Sequence, residues 1–93
     1  MSELALEIWE ELEKAVSLVT SARRMVSTGA RVDLTALEGK VRHVCTAAEG
    51  LHRGECKTMV PVMEALIDDL DHLAASVHTH QVQVSERLSA LSG

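Results

Sequence analysis

Aromatic rings are almost absent from this chain: Trp9 is its single indole, with no Phe and no Tyr beside it. A surface that binds single-stranded nucleic acid by stacking bases on aromatic platforms has nothing to be built from here. The core must come from Leu, Val, Ile, Ala and Met, which suits helices packed at close range. Basic residues are also in short supply, nine Lys and Arg against fourteen Asp and Glu, for a net charge of −5 and a pI of about 5.4. They are scattered rather than gathered on one face, so neither nucleic acid nor an anionic membrane surface is expected as a partner.

Long apolar runs are missing too. Nothing approaches the ~18 apolar residues that mark a bilayer span, and Met1-Ser2-Glu3 opens the chain without the basic-then-apolar order of a leader. A cytoplasmic protein with no membrane attachment is expected. Cysteine occurs twice, at Cys45 and Cys56, in no C-x-x-C pair; both fall on helical core phases and read as reduced thiols acting as small buried hydrophobes. No P-loop, nucleophile elbow or metalloprotease helix motif occurs, so neither catalysis nor a cofactor is expected.

What the chain does have is helical periodicity. Along the last forty or so residues Cys56, Met59, Met63, Leu66, Leu70, Leu73, Val77, Gln81, Val84, Leu88 and Leu91 recur at steps of three and four, which places them on one face of an α-helix. A helix from about Glu55 to Leu91 is ~55 Å long at ~1.5 Å per residue. A chain of 93 residues buries only about 60–65% of its unfolded surface, and its remaining helices are too short to cover both ends of such a rod. Part of the stripe is left for another chain, and oligomerisation is the expected supplement to a modest core.

Two earlier segments carry the same spacing. The first runs from Ser2, an N-cap with Glu3 in the first turn, to Thr28 before Gly29. Its seam is Ala5, Ile8, Leu12, Ala15, Val19, Ala22 and Val26, flanked by Leu4, Trp9, Val16, Leu18 and Met25. That face is wider than a two-stranded coiled coil requires, so this helix touches at least two neighbours. The second segment opens at Asp33, with Val32 and Leu37 placed as a hydrophobic staple, and continues along Leu34, Leu37, Val41, Val44, Ala48 and Leu51. Gly39 and Gly50 each weaken it by roughly 1 kcal/mol relative to alanine, and Gly54 is expected to end it. Glu10–Lys14 and Glu38–Arg42 are i, i+4 pairs that mark solvent-facing sides.

Pro61 either starts the third helix or lies inside one that begins near Glu55, in which case the Lys57 carbonyl loses its donor. The second is expected, because Cys56 and Met59 already lie on the stripe. Near Val77 two successive steps of four, reaching Gln81 rather than His80, make a stutter that rotates the seam. The fold expected is all-α: one domain over residues 1–93, with helices at about 3–28, 34–52 and 55–91. They form a three-helix antiparallel bundle with a long C-terminal amphipathic helix, completed by oligomerisation. Leu12, Val19, Val41, Val44, Leu66, Leu70 and Leu73 are its predicted core.

Several residues invite a chemical reading. His43, Cys45, His52 and Cys56 have the ligand types of a zinc site, yet His43 and Cys45 are two apart and point in different directions on a helix. His78, Thr79 and His80 meet the same objection, with His72 six residues earlier. His43 is followed by small residues, as in phosphotransfer domains, but not by their lysine. Asp68, Asp69 and Asp71 lie opposite Leu66, Leu70 and Leu73, where a solvated acidic face is the common arrangement; Asp68 can pair with His72. Trp9 flanks the first seam and serves either as a partner anchor or as a packing piece. The candidate partner-binding residues are Trp9, Val77, Gln81, Val84, Leu88 and Leu91.

The acidic first helix with its wide stripe, the connection Ser27-Thr28-Gly29-Ala30-Arg31-Val32-Asp33-Leu34-Thr35-Ala36-Leu37 and the long C-terminal amphipathic helix resemble, in outline, the small flagellar export chaperones of the FlgN/FliT type. The resemblance implies partner binding through the distal helix, from Val77 to Leu91. The expected function is a non-enzymatic helical interaction module, a small chaperone or adaptor, whose partner is a second copy in a dimer or another helical chain. A histidine-based phosphotransfer or metal-binding signalling domain is the alternative.

Overall fold

The computed structural model describes residues 2–92; Met1 and Gly93, the ends of the expected domain, lie outside that span. Three helices and no strand make up the described residues: α1 (Glu3–Ser27), α2 (Leu34–Glu49) and α3 (Arg53–Ser92). The Ser2 hydroxyl accepts the Ala5 N–H at 3.1 Å and starts α1, with Glu3 in its first turn. The Asp33 carboxylate accepts the Ala36 N–H at 3.0 Å and starts α2. Val32 and Leu37, the staple pair, both pack into the core.

α1 stops where glycine allows it. Gly29 has φ +84°, its N–H donates to the Val26 carbonyl at 3.0 Å, and the Ala30 N–H donates to the Met25 carbonyl at 2.9 Å. Those two bonds are a Schellman motif, which satisfies carbonyls the helix would otherwise leave open.

The second boundary differs from expectation. α2 ends at Glu49, not near 52, and Gly50 caps it with an ordinary φ of −78°. Tight bonds from Gly50 N–H to the Ala47 carbonyl and from Leu51 N–H to the Ala48 carbonyl finish the last turn. Leu51 keeps its place on the seam from outside the helix, half-buried against the core. Gly54, expected as the stop, lies instead in the first turn of α3, which the Cys56 N–H closes by donating to the His52 carbonyl at 2.9 Å. Pro61 lies within α3, as its flanking stripe residues required.

The core follows the seams. Ala5, Ile8, Leu12, Ala15, Val19 and Ala22 from α1 meet Leu37, Val41, Val44 and Ala48 from α2, and Met59, Met63, Leu66, Leu70 and Leu73 from α3. Each helix packs on the other two, which is why α1 needs its wide apolar face. The Ser2 N–H donates to Glu55 Oε2 at 2.8 Å, and Arg23 meets Asp69 at 3.6 Å. The first contact sets the start of α1 beside the start of α3, and the second joins the end of α1 to the middle of α3. Lys14 pairs with Glu11 at 3.1 Å rather than with Glu10, and among the described residues neither Glu38–Arg42 nor Asp68–His72 forms an ion pair.

The molecule measures 60 × 18 × 17 Å. At ~1.5 Å per residue α3 alone is ~60 Å long and α1 only ~38 Å, so α3 sets the long dimension. Its last turns extend past the end of α1.

Candidate functional site

Burial along α3 stops abruptly. Leu73 is 2% exposed and Val77 half-buried, and then all fifteen residues 78–92 are exposed. The change falls where α3 passes the end of α1, so that beyond Val77 the apolar line has only the α1–α2 turn beside it. The line itself continues: Val84 is 39%, Leu88 61% and Leu91 84% exposed, with Val82 beside them. Water meets a run of large aliphatic side chains on a regular helix, at a hydration cost of ~25 cal/mol per Å² of apolar surface.

This segment is not an isolated rod. Val77, His80, Gln81, Val84, Ser85 and Leu88 form one wall of an open groove of about 550 Å³, and Val26 with residues 29–32 of the α1–α2 turn forms the other. The Schellman motif holds that turn in place and staple residue Val32 ties it to the core, so the groove has one rigid apolar flank. Among the described residues Arg31 is the one residue of fixed charge lining it. Val26 and Val32 belong to this site although their sequence positions signalled only the last seam residue of the first helix and a staple; no short-range pattern announces that a turn will lie against residues fifty positions later.

Of the candidate partner-binding residues, Val77, Gln81, Val84 and Leu88 come together in the groove wall, and Leu91 lies one turn further along the same face. Trp9 is elsewhere. It sits two turns into α1, near the end of the molecule where Ser2 meets Glu55, half-buried against the core. Its indole N–H donates to Glu13 Oε1 at 2.6 Å, which satisfies its polar atom within its own helix.

The residues with possible chemistry stay apart. No group of three or more His, Cys, Asp or Glu is placed to hold a metal ion among the described residues. His43 and His52 are exposed, and Cys45 and Cys56 are half-buried rather than fully buried. Burial, with a smaller contribution from the Glu49 carboxylate, pushes the Cys45 thiol above its ordinary range, which disfavours the thiolate that a nucleophile or metal ligand requires. Among the described residues no helix is long and apolar enough to cross a membrane. Comparison with protein-family models, with curated proteins and with solved structures returns no match.

Proposed function

We propose that this chain is a non-enzymatic, cytoplasmic helical interaction module. In it a three-helix antiparallel bundle, α2 running against both its neighbours, serves as a base for the protruding end of α3. The partner is the apolar helical surface of another protein chain, laid in the groove between the distal stripe and the α1–α2 turn. The observation that carries this reading is the continuous helix past Val77, whose apolar line the described residues leave exposed. A chaperone or adaptor role, which the resemblance to flagellar export chaperones suggests, is of this kind.

The experiment is photo-crosslinking in the full chain. A photoreactive residue replacing Leu88 should give covalent protein adducts in the cells that make the protein, and one replacing Glu10, on the exposed face of α1, should give far fewer. Equal yields from the two positions, or none from position 88, would overturn the reading.

A further inference from the structure

We infer that the groove is filled by the distal helix of a second copy, running in the opposite direction. This rests on the docking reading above and names its occupant. On the distal part of α3, Val77, Gln81, Val84, Leu88 and Leu91, with Ala74 just before the stutter and beside buried Leu73, alternate by three and four as in a coiled coil. Two such seams set antiparallel interlock with themselves: Ala74 falls opposite Leu91 of the second copy, Val77 opposite its Leu88, and Gln81 opposite its Val84. Large residues face small or medium ones in every layer. The same register carries the second copy's Leu88 and Leu91 to the Val26–Val32 side of the groove, which closes two grooves at once.

Gln81 fixes that register. It lines the groove wall, and the pairing places both copies of it next to the two-fold axis, within reach of each other's amide groups. A shift by one heptad would leave each amide against apolar side chains without a partner, as buried polar seam residues do when they specify alignment.

Charge decides the direction. In residues 77–92 the fixed charges are Glu86 and Arg87, which cancel, so the net −5 of the chain lies in residues 1–76. A parallel pair would hold two acidic bundles side by side. The antiparallel pair sends them to opposite ends, with an uncharged contact between them and a separation well beyond the ~8 Å screening length of physiological salt.

The test uses the full chain with Cys45→Ala and Cys56→Ala. His78 and Ser85 flank the seam and face each other only in the antiparallel register, so chains carrying His78→Cys are mixed with chains carrying Ser85→Cys and oxidised. The expected product is the mixed 78–85 disulfide, in several-fold excess over like-with-like products. Wild-type protein should show twice its 10.1 kDa chain mass by light scattering, and Leu88→Asp should return to the single-chain mass while still unfolding cooperatively, with a midpoint that no longer rises with protein concentration. Like-with-like disulfides, or a single-chain mass for the wild type from micromolar concentrations upward, would overturn the inference. A single-chain mass accompanied by cellular adducts from position 88 leaves docking on a different protein standing, whereas loss of those adducts removes the docking reading itself.

Discussion

Leu66, Leu70 and Leu73 stand one turn apart on α3, at 2%, 8% and 2% exposure, and among the described residues no buried polar or charged side chain shares the core with them. The bundle is therefore held by apolar packing, and removing a core side chain leaves a void that only partial collapse can fill. Leu70→Ala should lower stability by about 2–5 kcal/mol, toward the lower end because its site already borders solvent; an unchanged urea midpoint would mean the register of α3 is wrong. Charge bears on stability at Glu55. Hydrogen bonding from the Ser2 backbone, and secondarily from its side chain, holds the Glu55 carboxyl below its ordinary range. A depressed folded value means the ionised form is favoured on folding, so its contribution is present above the unfolded pKa of ~4.3 and is lost as pH falls through the folded value. Between neutral and about pH 3 the wild type should lose more stability than Glu55→Gln, a difference that vanishes if the Ser2 contact is not formed in solution.

At the scale of elements, the helix starts and the seams were legible in the sequence because their causes are local. Ser2 and Asp33 cap through side chains three residues from their targets, and Gly29 ends α1 by a conformation that other residues resist. The end of α2 was not legible: Leu51 continues the three-four spacing while already outside the helix, since a half-buried aliphatic can pack on the core from a turn as well as from a helix. The glycines then behave differently by position. A Cβ at Gly39 meets nothing within 4 Å, and the residue is interior to α2, so Gly39→Ala should stabilise by about 1 kcal/mol. Gly29 also has open space around it, but its φ of +84° costs an L-residue about 1–2 kcal/mol. Gly29→Ala should thus destabilise, in contrast to Gly39→Ala, and thermal midpoints of the two variants check the signs together.

For the whole molecule, the mismatch between a ~60 Å α3 and its shorter neighbours was legible from spacing alone. The groove was not, because its second wall depends on where a turn lands in space. Its Val26 and Val32 are ordinary in their own local patterns and become a site only beside Val77 and Val84. This division of the molecule has a consequence for truncation. Among the described residues every buried one lies at or before Leu73, so a chain ending at Ser76 keeps that core and loses the half-buried Val77 from its margin. It should unfold cooperatively within roughly 1 kcal/mol of the full chain compared at concentrations too low for association, the scale of one partly buried aliphatic. It should also lose association with any partner chain, since the apolar line past Val77 and one wall of the groove are gone. A truncated protein that keeps the associated mass of the full chain would show that the distal helix has no docking role. One that loses most of its stability would show that residues beyond Val77 support the bundle from within the same chain.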